Sequence, residues 1–296
     1  MKKKHILFIL KLLLTAGVLY FVFNKIDLRQ CWLIIKDTKP LYFLLALCFY
    51  LLSQLVSSVR LLTYYKAAGV NISKILNFKL YTVGMFYNLF LPGGIGGDGY
   101  KVFLLKKYDE TLKTKALIHA SILDRFSGLS ALCFFIIVLT LASSFAHIFN
   151  VPHYWLYLLL ALVIPVSYFF IKLFFRPFAS VFMLAFVQSV LIQALQLVAA
   201  VFLLGSLALW SSWQAVIDYL CLFLTSSLAL IFPFFHGGIG AREYVFLEGS
   251  KLLAFKPELG LAFSSSFFIV NLLASSLGVF FLYRICLLYT SDAADD

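Results

Sequence analysis

Near-continuous apolar runs cover residues 6–23, 41–59, 117–146, 154–171, 180–208 and 259–283, with two further stretches at 75–91 and 215–235 that each end in a glycine-rich break. Several of these runs reach the roughly 20 residues a helix needs to cross the hydrocarbon core of a bilayer. The other spanning architecture, a closed barrel, requires strands of about 10 residues with alternating polarity. The Leu/Phe runs do not alternate, which excludes it. Composition agrees: 63% of residues are hydrophobic and 12% charged, whereas soluble domains carry about 25% charged residues. The expected fold is all-α, a polytopic membrane bundle of about six to eight spans with two broken or re-entrant segments, forming one integral membrane domain over residues 1–285.

The two ends of the chain bear on the charge balance. Lys2-Lys3-Lys4 precedes the first apolar run, and no small-x-small cleavage site follows Tyr20, so an uncleaved first span with a cytoplasmic N-terminus is expected. Residues 286–296 (CLLYTSDAADD) read as one frame of a transposase mosaic-end adaptor, and native sequence is expected to stop near Ile285. Setting aside the three aspartates of that segment moves the formal net charge from +11 to +14. In a chain of spans such an excess marks cytoplasmic loops and anionic headgroups, not nucleic acid. Cys48, Cys133 and Cys221 lie inside apolar runs without CxxC or Cys/His spacing, and Cys31 stands alone. They read as packing residues, with no disulfide framework and no metal site.

Basic residues cluster at Lys2 to Lys4; at Arg60, Lys66, Lys74 and Lys79; at Lys106, Lys107, Lys113 and Lys115; and at Lys172 and Arg176. The positive-inside rule puts all of them in the cytoplasm. The segment from Phe78 to Phe103 then has cytoplasmic loops on both sides and is expected to be a re-entrant hairpin. Its non-helical turn must be covered by protein or line a wet cavity. Counting three spans onward, residues 215–235 enter from the outer side, which predicts an inverted pair, although Lys251 and Lys256 fit that placement poorly. Trp32, Trp155, Trp210 and Trp213 all fall at the predicted outer ends, as an interfacial belt requires.

The strongest internal signal is a repeat. Pro92-Gly93-Gly94-Ile95-Gly96-Gly97-Asp98-Gly99-Tyr100 recurs as His236-Gly237-Gly238-Ile239-Gly240-Ala241-Arg242-Glu243-Tyr244, an offset of 144 residues between Gly93 and Gly237. Paired glycine/proline interruptions in corresponding halves point to a transporter-like binding site. Glycine lets backbone approach backbone or ligand, and helix ends freed by a break present N–H groups that favour anions. The bland alternative is that these glycines only permit close helix crossing.

Ionisable residues inside apolar sequence are functional candidates by default. Asp98 follows the first motif, Arg242 and Glu243 the second, and Asp124-Arg125 lies within the run from Ala116 to Phe145. Arginine offers a planar fork suited to phosphate, so Arg125 and Arg242 are expected to contact a headgroup, with Asp98, Asp124 and Glu243 orienting them or meeting an amine. The competing reading is a structural ion pair, Asp98 with Arg242 or Asp124 with Arg125. Glu248 reads as solvated, His119 as packed near Asp124, and Gln188, Gln193 and Gln196 as interhelical hydrogen-bonding groups.

Three motifs in order, LPGGIGGDGYKVFLLK (Leu91 to Lys106), SILDRFSGL (Ser121 to Leu129) and FPFFHGGIGAREYVF (Phe232 to Phe246), resemble the lysylphosphatidylglycerol synthase transmembrane-region family, flippase-like integral membrane proteins, over residues 5–285. The matching positions are Gly93, Gly94, Gly96, Gly97 and Asp98, then Asp124 and Arg125, then Gly237, Gly238, Gly240, Arg242 and Glu243. The resemblance implies a domain in the cell membrane that moves, or helps move, a phospholipid or lipid-linked headgroup between leaflets. It implies no cofactor, and membrane lipids and an enzyme making the lipid as partners. In fused members a soluble domain transfers lysine to phosphatidylglycerol, and that domain has no counterpart in these residues. Gly99, Tyr100 and His236 depart from the family pattern. Two other classes stay open: a membrane-embedded transferase acting on a lipid, which needs a positioned base or metal-binding carboxylates, and an accessory subunit.

Overall fold

A computed structural model describes residues 36–90, 96–229 and 240–291. The first apolar run, Trp32 and four of the motif glycines, Gly93, Gly94, Gly237 and Gly238, lie outside the described residues. The described residues are helical: α1 (Pro40–Ala67), α2 (Lys74–Phe90), α3 (Gly96–Tyr108), α4 (Thr114–Ala142), α5 (Ser144–Ile148), α6 (His153–Phe174), α7 (Phe182–Ser206), α8 (Trp213–Ala229), α9 (Ala241–Leu252) and α10 (Pro257–Ser291). Five helices among them are long and apolar enough to span a membrane: α1, α4, α6, α7 with the 3₁₀ turn before it, and α10. The chain is therefore a multi-pass helical membrane protein.

Local chemistry explains the boundaries. Pro40 opens α1, where a missing N–H costs nothing, and Pro177 sits in the 3₁₀ turn that starts α7. The expected span 117–146 breaks at Ser143, because the buried Asp218 carboxylate accepts hydrogen bonds from the Ser144 N–H and hydroxyl, both at 2.7 Å, and so caps α5. Residues 75–91 and 215–235 appear as α2 and α8, each followed by a short helix.

These short pairs are hairpins. Tyr87 meets Tyr100 with ring centroids 4.1 Å apart, and Gly84 lies against Lys101, so α2 and α3 run antiparallel. Leu222 lies against Gly249, and Tyr219 stacks on Phe255 at 4.6 Å, which orients α8 and α9 likewise. With 13 residues in α3 and 12 in α9, these returning arms rise only about 20 and 18 Å at 1.5 Å per residue. That is short of the roughly 30 Å hydrocarbon core.

The 144-residue offset extends to the whole element order: α1, α2, α3 and α4 correspond to α7, α8, α9 and α10. The equivalent helices α1 and α7 share the most extensive interface among the described elements, and they are antiparallel. The Lys39 N–H donates to the Ser206 carbonyl at 2.9 Å near one end, and Arg60 donates to Ser189 at 2.8 Å toward the other. Equivalent elements running in opposite directions make the repeat inverted. Contacts between halves are reciprocal: α2 of the first hairpin packs on α10, and α8 of the second on α4. Each hairpin is thus lodged against the closing span of the other half.

One end of the bundle carries Lys66, Lys74, Lys106, Lys107, Lys113, Lys115, Lys172 and Arg176. The opposite end carries exposed Trp155, Trp210 and Trp213, together with Lys251 and Lys256. Arg60 does not belong to the basic end as its sequence neighbourhood suggested. It is 7% exposed, drawn into the bundle by a buried carboxylate.

Candidate functional site

The first motif begins in its hairpin. Helix α3 starts at Gly96, so Gly96 and Gly97 belong to the helix and not to the break. A Cβ on Gly97 would lie 1.9 Å from the Gly84 carbonyl oxygen, and the Gly97 N–H donates to Asn88 Oδ1 at 2.9 Å. At this position glycine serves helix packing. The crossing positions Asp98 at the start of α3, 9% exposed. Its carboxylate accepts the Lys101 ammonium at 2.7 Å and the Arg125 Nε from α4. Lys101, 4% exposed, also lies 5.4 Å from the Tyr81 ring centroid.

Asp124 does not pair with Arg125. Its partner is Arg60 Nε on α1 at 2.7 Å, and Gly128 leaves room for that guanidinium, 3.3 Å from where a Cβ would stand. Both ion pairs considered from sequence, Asp98 with Arg242 and Asp124 with Arg125, are therefore replaced by Asp98 with Lys101 and Arg125, and Asp124 with Arg60. The reason is facing: on α4, consecutive residues point about 100° apart, so Asp124 and Arg125 look toward different helices. The Arg125 side chain, paired with Asp98, is 46% exposed about 16 Å along α4.

The second hairpin is built differently. Gly240 adopts φ +94° at the N-cap of α9, a left-handed value that only glycine takes without strain. Glu243 caps the helix: one carboxylate oxygen accepts the Gly240 N–H at 2.7 Å, the other the Ser264 hydroxyl at 3.1 Å. Arg242 stands between two rings, its guanidinium carbon 5.4 Å from the Phe223 centroid and 5.1 Å from that of Phe267. Its Nη2 lies 3.4 Å from the Ser227 hydroxyl. Its Nε is buried without a hydrogen-bond partner among the described residues, and no carboxylate there forms an ion pair with it. Phe267 also takes the edge of Tyr50 at 5.5 Å, and the Tyr50 hydroxyl donates to Asn271 Oδ1 at 2.8 Å.

Arg60, Lys101, Tyr50 and Asn271 join these clusters without having been singled out. Asn271 did carry a signal, as the lone carboxamide of the final apolar run. Arg60 and Lys101 were masked by proximity to basic loops. Other expectations are placed as follows. Glu248 forms an exposed pair with Lys251 at 2.6 Å. His119 packs edge-on against Phe175 at 5.1 Å, and Thr63 contacts Gln188 at 3.4 Å across α1 and α7. Cys221 is buried, but Cys48 is exposed on α1. A largely apolar cavity of about 410 Å³ lies between α4, α5 and the second hairpin, with Thr140, Thr225, Tyr244 and Glu248 among its lining.

Chemically, the first hairpin pairs its carboxylate with two cations, Lys101 of its own arm and Arg125 of α4, while the second presents an aromatic-framed cation. No curated protein matches the chain. The family model described as lysylphosphatidylglycerol synthase TM region matches residues 8–278. That match spans both hairpins and the helices that receive them, and the chain belongs to the lysylphosphatidylglycerol synthase transmembrane-region family.

Proposed function

We propose that this domain binds the anionic headgroup of a phospholipid or lipid-linked molecule at Arg242 and carries it between leaflets. The observation that carries the reading is the Arg242 guanidinium, held between Phe223 and Phe267 without a carboxylate partner among the described residues. An ionised group at membrane depth is costly unless paired, and the N-terminus of α9 adds a field that favours an anion. The inverted repeat supports movement as well as binding, because rocking one half against the other alternates access to a fixed central site. The apolar cavity beside the second hairpin offers room for lipid chains. By the positive-inside rule the basic end faces the cytoplasm of the cell membrane, and a separate enzyme makes the lipid. A transferase is less well supported, since Asp98, Asp124 and Glu243 are each committed as counterion or cap.

The test is a leaflet assay on purified protein in vesicles carrying a fluorescent anionic phospholipid, read by dithionite quenching. Wild type is expected to expose inner-leaflet label, and Arg242→Ala, still inserted, to reduce that rate at least tenfold. Equal rates for the two proteins and for protein-free vesicles would sink the proposal and favour an accessory subunit.

A further inference from the structure

The cluster beside Arg242 contains a second polar group without an assigned role. Asn271 lies in the middle of α10, one helical turn from Phe267 and on the same face. Phe267 in turn carries the Arg242 guanidinium. Two hydroxyls converge on Asn271 Oδ1, that of Tyr50 at 2.8 Å and that of Ser275 at 3.4 Å. Oδ1 is thereby committed, and the amide N–H₂ makes no hydrogen bond among the described residues. Asn271 is only partly buried, so this free edge borders open space. Phe267 meets both the Arg242 guanidinium, 5.1 Å from its centroid, and the Tyr50 ring at 5.5 Å, which places the cation, the phenol and the carboxamide in one neighbourhood.

We infer that Asn271, its amide held in one orientation by Tyr50, is a second ligand contact beside Arg242 and selects a phosphodiester. A phosphodiester carries one negative charge on two non-bridging oxygens, which suits one cation and one neutral donor. A carboxamide donor discriminates by hydrogen bonding and not by charge. A ligand lacking the acceptor leaves a polar group unsatisfied, which costs more than the bond itself contributes. Tyr50 acts through Asn271 and is a positioning residue. The inference rests on reading Arg242 as the headgroup contact.

The experiment measures binding to the full chain in an uncharged detergent, using dioleoylphosphatidylglycerol, dioleoylglycerol and inorganic phosphate as probes. Asn271→Leu is expected to weaken phosphatidylglycerol binding roughly tenfold and to leave dioleoylglycerol unchanged. Tyr50→Phe, the milder change, should lose part of that factor, and the double variant should be no weaker than Asn271→Leu, as two residues acting through one contact require. Wild-type phosphatidylglycerol binding by Asn271→Leu, or parallel loss of both lipids, would overturn the inference. Inorganic phosphate binding as tightly as the phospholipid would retain the Asn271 contact and overturn a lipid source. If Arg242→Ala binds phosphatidylglycerol like wild type, the headgroup reading itself fails, whatever Asn271 does.

Discussion

Within a single motif, neighbouring glycines have opposite physical roles. The missing Cβ of Gly97 admits the Gly84 carbonyl, a backbone atom that cannot swing aside. Gly97→Ala is therefore expected to cost about 1–3 kcal/mol or more, as overpacked cores do. Gly99, two positions on in α3, has nothing within 4 Å of a built Cβ. Gly99→Ala should be tolerated and could gain up to about 1 kcal/mol of helix propensity. Thermal unfolding of the two purified variants checks the contrast. Equal melting temperatures would mean that α2 and α3 are not in contact at Gly84. Arg242 differs from the other membrane-depth cations in the same way: Arg60 and Lys101 have carboxylates and Arg242 has aromatic rings, so its removal should affect function before stability.

At the level of elements, the second hairpin depends on how α9 begins. Glu243 satisfies the Gly240 N–H and ties it to Ser264 of α10. Replacing it by alanine is expected to cost about 0.5–2 kcal/mol, the usual range for a lost helix cap, and to loosen α9 from α10. Hydrogen exchange at the first turn of α9 would detect that; unchanged protection there would show that the cap is dispensable. The connector between α3 and α4 allows a pH test. The Asp109 carboxylate accepts the Thr111 hydroxyl at 2.6 Å and its N–H at 2.9 Å, and these bonds hold its pKa below the ordinary 3.8. A lowered carboxylate pKa contributes fully above the ordinary value and is lost as pH falls through the lowered one. Thr111 amide protection should accordingly be flat from neutral pH down to the ordinary carboxylate range and fall only in stronger acid. Loss at pH 5 or above would contradict the turn.

For the molecule as a whole, the antiparallel pairing of α1 with α7 and the reciprocal lodging of the hairpins predict where each loop emerges. Cysteines placed at Lys74 and Lys113 should react with a membrane-impermeant maleimide from one side only, and cysteines at Trp155 and Trp213 from the other. Labelling of all four from one side would rule out the inverted arrangement. The two halves carry unequal charge: the first hairpin joins an internal network with α1, α4 and α7 through Asp98, Asp124 and Arg60, whereas the second sets its cation between two aromatic rings with no carboxylate ion pair among the described residues. A symmetric backbone with asymmetric chemistry gives a translocating protein different affinities in its two states, and only a differential affinity can shift such an equilibrium.

Hydropathy alone determined which segments lie in the membrane, because lipid forces each crossing to satisfy its backbone locally and leaves a run of apolar residues as the record. The repeat of Gly93 to Tyr100 in Gly237 to Tyr244 determined that there are two equivalent halves, and the basic clusters determined which loops share an end. Asp98, Asp124, Arg125, Arg242 and Glu243 were equally legible as positions, whereas Arg60, Lys101 and Asp218 were not. The pairings were not legible either. Asp98 meets Arg125 across 27 residues and Arg60 meets Asp124 across 64, separations that carry no local period, and adjacent Asp124 and Arg125 face apart because of helical twist. Only the packing of α1, α3, α4 and α7 decided which of those charges pair, and only the meeting of α1, α8, α9 and α10 gathered Tyr50, Phe223 and Phe267 beside Arg242, with Asn271 bound to Tyr50.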